Sequence, residues 1–97
     1  MSTVLAIDTS TDRTSVAIFK AEQVLFHEFH DDPLAHGEVL PVLVHKALQA
    51  HPQIDLVAIG MGPGPFTGLR VGIVFAQSFA IARDIPWKGV ASIDVIA

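Results

Sequence analysis

"GMGPGPFTGLRVG" (Gly60–Gly72) places five glycines and two prolines between an apolar run and a second apolar stretch. Glycine-rich turns that lead from a buried strand into a helix are common phosphate cradles. The two specific versions of that motif fail here. Gly62, Gly64 and Gly68 are spaced one residue too long for a dinucleotide fingerprint, and Gly60, Gly62 and Pro65 fit it less well. A phosphate loop ending in Gly-Lys-Ser/Thr is excluded because Leu69 and Arg70 follow Gly68. Pro63 and Pro65 also remove two amide donors from any cradle. The general attraction of a helix N-terminus for anions remains. Two readings therefore stand, an anion site and a tight turn that lets two stretches of backbone approach, and the residues favour the turn.

Upstream of the loop, "IDLVAIGM" (Ile54–Met61) reads as a buried strand. Downstream, Thr67–Asp84 reads as a helix that Pro86 ends, followed by a strand in "WKGVA". "TVLAI" (Thr3–Ile7) is apolar at every second position on both faces, which predicts a central strand covered above and below. "SVAIFK" (Ser15–Lys20) and "VLFHEFH" (Val24–His30) follow across short turns, so these strands are antiparallel neighbours. "HGEVLPVLVHKALQAH" from His36 carries Val39, Leu40, Leu43, Ala47 and Leu48 at helical spacing. Pro41 is tolerable if that helix begins near Ala35 or later, with a bend expected there. Ser92 is a suitable N-cap for a helix that has only begun where "SIDVIA" stops, and the expectation is the first part of a longer protein. The order βββαβα, closed by a fifth strand, predicts an α/β layer on a mixed five-stranded sheet, with right-handed crossovers between its parallel strands.

The second helix has an unusual surface. Gly68, Gly72, Ala76 and Ala80 recur every fourth residue and form a ridge of small side chains. Val71, Val74, Phe75, Phe79 and Ala82 cover much of the remaining circumference. A helix apolar nearly all round is buried on two sides. One side lies on the sheet. The first helix of the same chain and a partner subunit are equal candidates for the other.

Composition narrows the function. The 97 residues make one small domain with 51% hydrophobic residues and a net charge of −4. Six scattered basic residues form no stripe along which a nucleic acid would run, so direct RNA or DNA binding is disfavoured. Cysteine is absent, which removes disulfides and thiolate chemistry. The N-terminus lacks the charged and apolar regions of a signal peptide, and Val71–Ala82 is too short to span a membrane; a cytoplasmic location is expected.

Asp8 ends the central strand beside Thr9, Ser10 and Thr11. A carboxylate placed so can hold Mg²⁺ while hydroxyls contact phosphate. A turn closed by its own Asx and Ser/Thr hydrogen bonds is the favoured alternative. No metal site is expected. His27 and His30 point to opposite faces of a strand, and the position four residues after His36 is Leu40, which ligates nothing.

"GMGPGPFTGLRVG", "LAIDTST" (Leu5–Thr11) and "HGEVLP" (His36–Pro41) together resemble the N-terminal lobe of the TsaB/YeaZ family, bacterial proteins needed to make threonylcarbamoyladenosine (t6A37) in tRNA. The family pattern GPGSFTG, followed by arginine and glycine, is matched at Gly62, Pro63, Gly64, Phe66, Thr67, Gly68, Arg70 and Gly72, with Pro65 in place of the serine. The resemblance runs from about Leu5 to Val90 and implies the actin-like, Hsp70-like, sugar-kinase-like (ASKHA) fold, built from ribonuclease-H-like lobes. On that reading residues 1–97 are the N-terminal lobe, the C-terminal lobe is absent, and no nucleotide cleft is closed. Asp8, Thr9, Ser10, Thr11, Gly62 and Gly64 then mark a vestigial phosphate site. The catalytic relative TsaD carries a metal-binding H-x-x-x-H at the start of its first helix; His36 matches its first position and Leu40 stands at its second. The resemblance thus implies a non-catalytic scaffold with no cofactor, which pairs with TsaD, works with the ATPase TsaE and forms homodimers in isolation. Its partner surface is expected on the first two helices, at Leu40, Leu43, Ala47, Gly68, Arg70, Gly72, Phe75, Ala76 and Phe79. A phosphotransferase or ATPase lobe using Asp8 and the loop is the alternative, and a metallopeptidase a more distant one.

Overall fold

The structure, a computed structural model, describes residues 2–10, 13–32, 36–62 and 66–91. Its elements are β1 (Thr3–Asp8), β2 (Arg13–Lys20), β3 (Gln23–Asp31), α1 (His36–Ala50), β4 (Leu56–Gly60), α2 (Phe66–Ala82) and β5 (Trp87–Val90). The strands form one sheet in the order β3-β2-β1-β4-β5, with β1 in its centre. β1 pairs antiparallel with β2 and parallel with β4; β2–β3 is antiparallel and β4–β5 parallel. This is the mixed five-stranded α/β sheet expected from the sequence. The start of a helix expected in "SIDVIA" lies outside the described residues.

Side-chain alternation divides the sheet into two unequal faces. Leu5 and Ile7 of β1, Val16 and Ile18 of β2, and Val57 and Ile59 of β4 point to one side, where Leu40, Leu43, Val44 and Ala47 of α1 and Ala76 and Ala80 of α2 close over them. The opposite face is lined by Ala6, Ala17 and Ala58, flanked by Val4, Phe19 and Val90. Both helices therefore lie on one side of the sheet, α1 chiefly over β2 and α2 chiefly over β4. Edge strand β3 is more exposed. There Arg13 bonds Asp31 through Nε at 2.8 Å and lies over the Phe29 ring, 3.8 Å from its centroid.

Some boundaries differ from those the sequence suggested, each for a local reason. β4 begins at Leu56 because Asp55 is used as a clasp: its N–H donates to the Thr3 carbonyl, and its carboxylate accepts the Thr3 N–H, both at 2.8 Å. α1 begins at His36, as the sequence suggests, but Pro41 then lies beyond its first turn, on an exposed side. The missing Pro41 N–H leaves the Gly37 carbonyl without its helical donor. α2 stops at Ala82 because Asp84 takes a left-handed conformation, φ 57°. Asp84 N–H then bonds the Ile81 carbonyl at 3.1 Å and Ile85 N–H bonds Ala80 at 2.9 Å. That pair of bonds is a Schellman cap with aspartate where glycine is usual, and Pro86 follows it. No described helix is long and apolar enough to cross a membrane.

The cap predicts a stabilising substitution. Asp84→Gly removes the left-handed penalty and an acid from the negative end of the helix dipole. It should add about 1 kcal/mol, which raises the melting temperature of a domain this size by about 4–8 °C. Thermal melts of the two proteins check this, and an unchanged or lower melting temperature contradicts it.

Candidate functional site

Strand β1 delivers Asp8 to its C-terminal end, where the chain turns through Thr9 and Ser10. All three are buried, with Asp8 only 2% exposed. Asp8 Oδ1 accepts the Ser10 N–H at 2.7 Å and also the Ser10 hydroxyl. One carboxylate oxygen is thus engaged in closing the turn it belongs to, an Asx arrangement. The neighbouring strand makes room for it: a Cβ on Gly60, at the end of β4, would collide with the Asp8 carboxyl group. Of the other expected phosphate contacts, Gly62 is buried with φ 104°, a backbone that favours glycine. Thr11 and Gly64 lie outside the described residues.

Thr9 faces the other way, into α2. Its Oγ1 accepts the Gly72 N–H at 3.1 Å, and a Cβ on Gly72 would strike that same oxygen and lie 3.1 Å from Cγ2. The small-residue ridge thus faces its own sheet. Gly72, Ala76 and Ala80 are buried there, the two alanines with no exposed surface. This corrects the expectation that Gly72 and Ala76 are open to a partner. Leu40, Leu43 and Ala47 are likewise interior residues of this chain, at 0–6% exposure, because α1 turns that face to the sheet. Alanine is the better helix former, but a methyl added at position 72 has no space against Thr9.

Of the expected surface residues, Arg70 is exposed while Phe75 and Phe79 are half-buried. Phe79 packs beneath the Arg83 guanidinium, 5.0 Å from the ring centroid. Gly68 lies on α2 but its surroundings are outside the described residues. The accessible side of α2 is instead a groove of about 580 Å³ lined by Arg70, Val71, Val74, Phe75 and Ser78. Val74 is 54% exposed, Ile81 74%, and Val42 on α1 is also open. The sequence held the signal for this face: Arg70, Val74 and Ser78 recur every fourth residue, opposite the glycines.

The histidines do not converge. His27 approaches the Ser15 hydroxyl at 3.4 Å on the alanine-lined face, and His30 lines a groove with Glu28, Glu38 and Lys46 beside α1. Among the described residues no three of His, Cys, Asp and Glu gather around one point.

The Thr9–Gly72 contact generates a double-mutant test. Gly72→Ala should cost about 1–3 kcal/mol by overpacking. Thr9→Ala removes the atoms in the way, so the double variant should be more stable than the sum of the single changes by about 1 kcal/mol. Urea unfolding of the four proteins measures this, and strict additivity refutes the clash.

Comparison with known proteins places this geometry. The family model described as TsaD: tRNA N6-adenosine threonylcarbamoyltransferase matches residues 33–97. An uncharacterized protein of Mycobacterium tuberculosis is 42% identical over 103 residues, covering 99% of this chain and 48% of that protein. The tRNA threonylcarbamoyladenosine biosynthesis protein TsaB of Escherichia coli is 36% identical over 98 residues, covering 97% of this chain and 42% of its own length. YeaZ from Pseudomonas aeruginosa superposes with a TM-score of 0.84 at 35% identity, over 94% of this chain and 44% of that one. The chain spans less than half the length of these relatives. Its sheet order, its Asp8 turn and its glycine-rich entry to α2 are carried on a fold shared with YeaZ, and the chain belongs to the TsaD family, in its TsaB/YeaZ branch.

Proposed function

We propose that this chain is the N-terminal lobe of a TsaB-type scaffold that takes part in forming threonylcarbamoyladenosine (t6A37) in tRNA by docking a TsaD-like partner. The relatives named TsaB support the pathway. The observation that carries the docking role is the outer face of α2, where Val71, Val74 and Phe75 line an open groove beside Arg70. An exposed apolar face on a helix is a common seat for another helix. Ile81 adds exposed apolar surface near the end of α2. The partner surface is accordingly Arg70, Val71, Val74 and Phe75, rather than the ridge at Gly72 and Ala76. The same surface serves for pairing with a second copy, and the scaffold works with a TsaE-like ATPase. The work is cytoplasmic, and no membrane or direct nucleic acid contact is assigned to this chain.

The Asp8 turn supports a non-catalytic role. Oδ1 is held by Ser10, and the Gly60 backbone lies against the carboxyl group. The protein therefore supplies surface, and the reaction belongs to its partner.

Two measurements test this. Val74→Glu places a charge in the groove without touching the core, so it should weaken association with the TsaD-like partner about tenfold or more while leaving the melting temperature unchanged. Sedimentation across a dilution series reads the affinity; unchanged association removes the groove from the interface. ATP·Mg²⁺ hydrolysis by the chain alone should remain at the blank rate. Turnover that Asp8→Ala abolishes would replace the scaffold with the phosphotransferase reading.

A further inference from the structure

We propose that Met61 is a site of reversible oxidation by peroxide-class oxidants, and that its sulfoxide loosens strand β5 from β4. The sequence contains no cysteine and two methionines, Met1 and Met61, so Met61 is the sole internal sulfur. It is 38% exposed, enough for a small oxidant to reach the thioether.

Its position gives the reaction a consequence. Met61 follows β4 directly and precedes Gly62, whose φ is 104°. Its N–H donates to the Val90 carbonyl at 2.8 Å, extending the β4–β5 ladder by one bond. Its side chain then lies across Gly89 of β5. A Cβ on Gly89 would fall 2.6 Å from Met61 Cε, 2.7 Å from Cγ and 3.4 Å from Sδ. The thioether thus fills the space that a β5 side chain would occupy. Gly89 pairs with Ile59, whose side chain points to the helix-covered face, so Met61 covers β5 on that face. Otherwise β5 is held by its ladder to β4 and by Val90 on the opposite face. It is a four-residue edge strand, with Trp87, Lys88 and Gly89 exposed and Val90 half-buried.

The chemistry is balanced by the oxidant alone. A sulfur lone pair attacks one peroxide oxygen, the S–O bond forms and the O–O bond breaks. The departing hydroxide takes the proton from the new S–OH group, leaving sulfoxide and water, so the sulfur is oxidised by two electrons and hydrogen peroxide reduced. The product is a polar side chain with a strong acceptor oxygen. That oxygen finds its donors in water, which draws the side chain off the apolar surface at Gly89. β5 then loses its cover, and its ladder to β4 opens more often.

Trp87 is the only tryptophan and lies on β5, so its fluorescence reports on the strand directly. The experiment treats the protein with dilute hydrogen peroxide, maps the added oxygen by peptide mass, and follows Trp87 emission and amide exchange of residues 87–90. Oxidation should fall on Met61 and accelerate exchange in β5 about fivefold while α1 amides stay unchanged. A methionine sulfoxide reductase should restore the original rates. Met61→Gln should reproduce the fast exchange without oxidant, and Met61→Leu should resist peroxide. The proposal is overturned if Met61 stays reduced while free methionine is consumed, or if it is oxidised and β5 exchange does not change.

Discussion

The turn at Asp8–Ser10 is held between two glycines, and the architecture depends on that fit. Gly60 of β4 leaves the space that the Asp8 carboxyl group fills. Gly72 of α2 leaves the space for Thr9, and its N–H is bonded by the Thr9 hydroxyl. Three segments far apart in sequence therefore meet through atoms that glycine lacks. The arrangement sets how closely α2 sits on the sheet, and so which side of the helix is left outside. With Gly72, Ala76 and Ala80 turned inward, the residues half a turn away must face out, and these are Arg70, Val74 and Ser78. The interior contact thus determines the composition of the surface.

Much of the fold could be read from the sequence because its signals are local. Alternation in "TVLAI", short turns on either side of "SVAIFK", and helical spacing from Val39 to Leu48 each report a period, and the structure has the corresponding elements. The ends of elements were less legible. Asp84 caps α2 in a conformation for which sequence leads one to expect glycine, and Asp55 is diverted into a clasp with Thr3 that shortens β4. Both depend on partners that a linear pattern does not name.

The candidate site shows the same division more sharply. The family resemblance groups Asp8 with the glycine-rich loop, and the structure sets the ends of β1 and β4 side by side, with Asp8 against Gly60. Which way the small-residue ridge faces is not legible. A row of glycine and alanine permits close approach to any backbone or side chain, and only the position of Thr9 reveals that the neighbour is the chain's own turn. The apolar residues of α2 were visible as a near-continuous coat, yet periodicity alone does not divide a coat into an inner and an outer half.

Strand β3 carries a consequence of another kind. It is a nine-residue edge, long enough to recruit a foreign strand. Its sequence alternates bulky apolar groups with His27, Glu28, His30 and Asp31, so charge or imidazole lies on both faces of the rim. At one end Arg13 is bonded to Asp31 and spread over Phe29, covering the largest apolar group there with a cation. A strand adding at this edge must desolvate those groups without offering them partners. The rim is in this way guarded against polymerisation, so the chain can expose an apolar helix face without this edge of its sheet pairing with copies of itself.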